Sequence, residues 1–199
     1  TRVLTEAQFQ TWAAAYALNG QSMSGAWQHV DGKFPVIGTL DRPSDWSVIA
    51  QGVNDRLITK GELSSGLGSQ SYPYSIRSAE QLAVFAAKVN SGNPEDPALG
   101  TAICAFLTED IDLTGASYNG TADNPIPWAP IGTGAEISVN GTSSVNSYQG
   151  TFEGNGKIIS HMSVEQEGYG GLFGCAGGGA VIRRLGLDET CSVKKIGRA

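Results

Sequence analysis

IISHMSV at residues 158–164 is followed by VIRRLGL at residues 181–187. The apolar positions Ile158, Ile159, Met162 and Val164 recur at Val181, Ile182, Leu185 and Leu187, each shifted by 23 residues (158 to 181, 159 to 182). Matches of this kind mark an internal repeat, in which each unit buries its apolar face against a neighbour. GGLFGC at 170–175 supplies another short apolar run between the copies, and Gly177, Gly178 and Gly179 supply a turn. Short strands with glycine corners suit a chain that climbs one strand separation, about 4.8 Å, per turn. The expected fold is therefore mainly β: a right-handed parallel β-helix (solenoid) from about residue 100 onward, with Ile159 over Ile182 and Met162 over Leu185.

Upstream of the repeat the apolar period changes. Ser78 precedes Leu82, Phe85, Ala86 and Val89 at helical spacing, and Gln81 completes a capping box. The spacing predicts a helix over 79–90 that ends at Ser91-Gly92 and caps the open end of the coil. Residues 1–40 read as a small αβ unit. Thr5 and Gln8 cap a helix bearing Phe9, Trp12, Ala13, Tyr16 and Ala17, and a hairpin runs from Trp27 to Ile37 through Asp31-Gly32. Pro43, Gly52, Gly61 and the Ser/Gly/Gln-rich stretch 64–71 mark 41–73 as a linker or boundary. Residues 74–199 are then the helix-capped, truncated β-helix, with Thr121–Ser147 as a coil carrying a long surface loop.

Composition narrows the function classes. The chain has 199 residues, 40% of them hydrophobic, enough for a buried core. Only 16% are charged and 27 are glycine, a surface chemistry that suits turn-rich β architecture. The net charge of −6 argues against a nucleic-acid partner, and no apolar run reaches bilayer-spanning length. Lys194, Lys195 and Arg198 read as a solvated basic tail. With no leader-like start at Thr1, the chain reads as a mature or excised fragment.

No catalytic residue, metal site or cofactor site emerges. His29 and His161 are far apart in sequence, and no Cys/His cluster has zinc spacing. The odd count of Cys104, Cys175 and Cys191 leaves at least one unpaired, and Cys175 and Cys191 are expected as free thiols rather than a bridge, with Cys175 packed rather than nucleophilic. Asp110 and Asp112 alternate along a strand and so share a face, a candidate cation site that a solvated outer wall explains equally well. Glu153 lies in a turn motif with no second carboxylate opposite it, and Asn155 suits a hydrogen-bonded corner. Arg183 and Arg184 have no assigned acidic partner. Asn119-Gly-Thr and Asn140-Gly-Thr match the glycosylation pattern but read better as turns. Trp128 and Tyr148, beside the long loop, could stack against a sugar ring. Serine-hydrolase elbow, zincin and phosphate-loop motifs do not occur.

The segments YSIRSAEQLA (74–83), LTEDIDL (107–113), WAPIG (128–132), GTFEGNG (150–156) and GGLFG (170–174) resemble the opening of GLUG-type β-helix repeat arrays. LTEAQF (4–9), ALNG (17–20), Trp27 and DGKFPV (31–36) resemble the tail that closes such an array. The likeness to the array opening spans roughly 66–193. It implies a secreted or cell-surface bacterial protein of adhesin type. The expected function is a non-catalytic structural or adhesive module, with a host glycan or host protein as partner and no cofactor. The alternatives are a polysaccharide lyase or glycosidase, a link that rests on fold analogy, and a spacer flanking a protease.

Overall fold

The computed structural model describes residues 3–92, 100–139 and 142–195. Two short helices open the chain where one was expected. Thr5 caps α1 (Glu6–Phe9) with a capping box: its hydroxyl accepts the Gln8 N–H, and the Gln8 side chain accepts the Thr5 N–H. Thr11 then caps α2 (Trp12–Leu18), which divides the apolar stripe between Phe9 and Trp12. Helix α2 buries Trp12 through Tyr16. The hairpin follows as anticipated, with β1 (Trp27–Gln28) antiparallel to β2 (Val36–Ile37) and Trp27 opposite Ile37.

The stretch 41–73 carries a helix, α3 (Trp46–Asn54), capped by the Asp45 carboxylate on the Ser47 N–H. It buries Trp46, Ile49, Ala50 and Val53, the i, i+3, i+4, i+7 pattern of a core-facing helix. Gly52 lies where α3 meets its neighbours. A Cβ there would come within 2.7 Å of both the Ala13 Cβ and the Ile58 Cδ1, so this glycine permits close approach of elements and does not break the helix.

Next come β3 (Tyr74–Ile76) and α4 (Ala79–Ser91). Ser78 caps α4 by accepting the Gln81 N–H, and Gly92 ends it in the left-handed region at φ 48°. The Gln81 side chain does not close a box on Ser78. Its carbonyl accepts the Arg77 N–H, and its amide donates to the Glu62 carbonyl. The remaining strands are β4 (Ala105–Leu107), β5 (Ile111–Asp112), β6 (Glu136–Val139), β7 (Thr142–Val145), β8 (Thr151–Glu153), β9 (Ile158–Ser160), β10 (Ser163–Gln166), β11 (Val181–Arg183), β12 (Gly186–Leu187) and β13 (Ser192–Lys195). They form parallel sheets in the orders β3-β4-β8-β11, β5-β9-β12 and β10-β13, and one antiparallel pair, β6-β7.

The expected mainly β solenoid is corrected by this arrangement. The chain is a mixed α/β structure with 22% strand, divided among several short parallel sheets. The physical reason is visible in what fills the core. Helix α4, which the sequence predicts, meets Tyr148 and Phe152 through its Phe85 ring at centroid distances of 5.9 and 5.6 Å, while α3, which it does not, packs on α4 and adds Trp46, Ile49 and Val53 to the same core, so helices supply much of what strands were expected to supply. The repeat register is corrected as well. Ile159 pairs with Leu187, Phe152 with Ile182 and Val164 with Val193, steps of 28, 30 and 29 residues (187 − 159, 182 − 152, 193 − 164) in place of 23.

Tyr118 joins the three sequence regions. Its ring lies 6.1 Å from Trp12, 5.5 Å from Tyr16 and 6.0 Å from Trp46, and its hydroxyl donates to the Glu80 carboxylate at 3.2 Å. Burial, with Glu80 adding to it, pushes the Tyr118 hydroxyl well above the ordinary phenol range, so it stays a donor. One hydrophobic cluster runs from Trp12 through Trp46 and Phe85 to Leu172.

Candidate functional site

Most polar residues singled out in the sequence prove to be held by local structure. Asp110 accepts the Ile158 N–H at 2.9 Å. Asp112 accepts the N–H and hydroxyl of Thr114 at 2.9 and 2.6 Å and lies 3.0 Å from His161 Nδ1. Burial alone would raise the Asp112 pKa, but the Thr114 hydrogen bonds and His161 outweigh it and hold the carboxyl below its usual value. The two carboxylates are thus occupied separately. Among the described residues no group of three or more His, Cys, Asp or Glu side chains is placed to hold a metal ion.

Glu153 has the partners that the sequence left unassigned. Arg183 Nε and Arg184 Nε donate to its two oxygens at 2.7 and 2.9 Å, and the Asn155 N–H donates to Oε1 at 3.0 Å. The Asn155 amide in turn donates to the Leu107 carbonyl, which fixes the corner where its backbone is left-handed. The Arg184 bond, the Asn155 N–H and Arg183 bring the Glu153 pKa down to about 2. The folded-state pKa lies below the ordinary glutamate value of 4.5, so this group adds stability above about pH 4.5 that is lost as pH falls toward 2. In thermal melts, Glu153→Gln should flatten the acid limb of the stability profile between those pH values. Parallel limbs for variant and parent would contradict the pairing.

Other expectations change on the same inspection. Trp128 and Tyr148 cannot stack on a sugar: they are 3% and 0% exposed, with the indole bonded to the Leu172 carbonyl and the phenol to the Ile103 carbonyl. Asn119 sits in a left-handed turn after the 3-10 segment Ala116–Tyr118. Asn140 and Arg198 lie outside the described residues. Lys194 and Lys195 belong to β13, and Lys194 lies 3.8 Å from Glu165, so they are not a free tail. Cys104, Cys175 and Cys191 are free thiols. No helix is long and apolar enough among the described residues to cross a membrane.

The most suitable concave site lies elsewhere, in a cleft of about 610 Å³ that the sequence did not single out. Its volume is in the range typical of small-ligand sites. Four segments converge on it: the start of α2 (Gln10, Thr11, Trp12), the β1–β2 turn (His29, Asp31, Gly32), residues 41–44, and α3 (Val48, Gln51). Trp12 fixes the wall by donating its indole N–H to the Asp41 carbonyl at 2.8 Å. Arg42 reaches out to the Asn124 and Pro125 carbonyls at 2.9 and 3.4 Å and forms no ion pair among the described residues. His29 Nε2 is 3.0 Å from the Asp31 carboxylate, while His29 Nδ1 is buried with no hydrogen-bond partner. Such an orphaned polar atom is uncommon and calls for an explanation.

Nothing in the single sequence could have assembled this cleft, because its walls come from residues 10–51 folded back on themselves. Comparison with known proteins finds no matching family model, no matching curated protein and no matching solved structure.

Proposed function

We propose that the chain is a non-catalytic binding module of a secreted or cell-surface bacterial protein, with a glycan or host protein as its partner. The cleft beside His29 carries this reading: a preformed concavity lined by amide, hydroxyl, carboxylate and guanidinium groups. Glycoside hydrolysis usually needs two carboxyl groups about 5–10 Å apart with divided acid and base roles. The carboxylates that sequence reasoning weighed for chemistry each serve a local structure, Asp110 on a backbone N–H, Asp112 on Thr114 and His161, Glu153 on two arginines. The surface location rests on the resemblance of the motif series to GLUG-type repeat proteins.

The test is product analysis after prolonged incubation with a broad panel of neutral and acidic polysaccharides, with and without calcium. No new reducing ends or unsaturated products are expected. Product release that Asp112→Asn or Asp110→Asn abolishes would overturn the non-catalytic reading in favour of a polysaccharide-active enzyme.

A further inference from the structure

The parallel sheets end on strands that lie in one layer. β11 closes the order β3-β4-β8-β11, β12 closes β5-β9-β12, and β13 pairs with β10. Among the described residues nothing pairs with the outer edges of these three strands. The inward positions change from closed to open at this layer. Phe152, Ile159 and Val164 are buried, whereas Ile182, Leu187 and Val193, their register partners one strand further on, are 39%, 49% and 55% exposed. Apolar residues that continue a buried row and yet meet solvent mark a face that a partner covers.

The edge of β11 has the groups to hold such a partner. The Val181 N–H donates to the Gly150 carbonyl, and the Arg183 carbonyl accepts the Gly154 N–H, both toward β8. Backbone groups alternate between the two edges of a strand, so the N–H and carbonyl of Ile182 face away from β8. Beside them Leu172, Phe173, Ile182, Leu185 and Leu187 line a concavity of about 400 Å³ that the inward side chains of an added strand can enter.

The outward row sets the charge of that strand. In the existing sheets Glu153 stands beside Arg183 and Glu165 beside Lys194, an acid on one strand next to a base on the following one. Arg183 and Arg184 share the single Glu153 carboxylate, which leaves a positive charge at the edge. The nearest acids in this layer, Asp188 and Glu189, lie at the β12–β13 corner, where Asp188 is bonded to Thr190. A second copy docking through the same patch would set these arginines and Lys194 against their own kind. Acidic residues on a different protein meet no such conflict.

We propose that this edge docks an extended segment of a partner protein, added as a strand to β11, with apolar residues over Ile182 and acidic residues beside Arg183. The surface shares no lining residue with the cleft beside His29, so its test stands apart from that site. The probe is a fluorescent, end-blocked octapeptide of alternating valine and glutamate, with alternating valine and lysine as comparator, each titrated into the intact chain. The acidic peptide should bind saturably, slow amide exchange in residues 181–187, and bind about tenfold more tightly than the basic one, a difference that shrinks as salt is raised. Ile182→Lys puts an inward charge at the edge and should abolish binding while the circular dichroism spectrum is retained. If that variant does not fold, the exchange pattern of the parent protein decides.

Equal affinity for the two peptides would overturn the acidic partner. Protection confined to segments other than 181–187, or undiminished binding to a folded Ile182→Lys variant, would overturn the location. Absence of binding by the acidic peptide would overturn the proposal as a whole. A dimer in sedimentation that Ile182→Lys disperses would overturn it in favour of a second copy as the occupant.

Discussion

Ile159→Asp is expected to leave the chain unfolded at room temperature, while Ile158→Asp beside it should melt like the parent. Ile159 is fully buried in the central strand of its sheet, between Ile111 of β5 and Leu187 of β12. A carboxylate there would lose the apolar burial, about 2–5 kcal/mol, and would add a buried charge with no partner, several kcal/mol more. A typical total stability is only about 5–15 kcal/mol. Ile158 points to the other side of the strand and is 47% exposed, so aspartate there should change stability by no more than about 0.5 kcal/mol. Circular dichroism melts of the two variants check the alternation. Equal melting of both would contradict the placement of β9.

Trp46→Ala should be the next most damaging change, although it falls in a stretch that reads as linker. The side chain is 1% exposed, its indole N–H donates to the Leu113 carbonyl at 3.3 Å, and its ring meets Tyr118 edge-on. Truncating a buried tryptophan costs about 3–5 kcal/mol. For a chain of this size that corresponds to a fall in melting temperature of roughly 6–20 °C. A fall of only a degree or two in calorimetry would mean that α3 is peripheral to the core.

Local signals were legible where one short segment determined its own structure. Ser78 and Gly92 bracket α4, Thr5 with Gln8 caps α1, and Trp27 to Ile37 forms its hairpin because each depends on backbone groups a few residues away. Helix α3 was also written in the sequence, as Asp45 followed by Trp46, Ile49, Ala50 and Val53. Gly52 and the nearby Pro43 obscured it, because a glycine kept for close packing against Ala13 and Ile58 is indistinguishable in sequence from a breaker.

Long-range relations were harder to read. Ile158-Ile159 and Val181-Ile182 look alike, yet Val181-Ile182 sits beside Thr151-Phe152, and Ile158-Ile159 sits beside Gly186-Leu187. Similar apolar pairs on successive strands give a false register when the corner lengths are unknown. The solenoid expectation failed for a related reason: short glycine-bounded apolar runs do not say how much of the chain becomes strand, and here only 22% does, while α3 brings Trp46, Ile49 and Val53 into the core from a stretch that reads as linker. Trp128 and Tyr148 seemed exposed because their segment reads as a loop, whereas both bond to backbone carbonyls inside the core. The cleft had no sequence signature, since the isolation of His29 Nδ1 depends on segments that meet only after folding.

The most direct test of binding at the cleft is to fill it. Gln51 is exposed on α3 and lines the cleft, so Gln51→Trp should obstruct it while leaving the buried face of the helix unchanged. Calorimetric titration with whichever glycan or host protein binds the parent protein is then compared between parent and variant, with melting temperature as the control for folding. The expected result is loss of binding at an unchanged melting temperature. Undiminished affinity in a folded Gln51→Trp variant would contradict the cleft as the binding site.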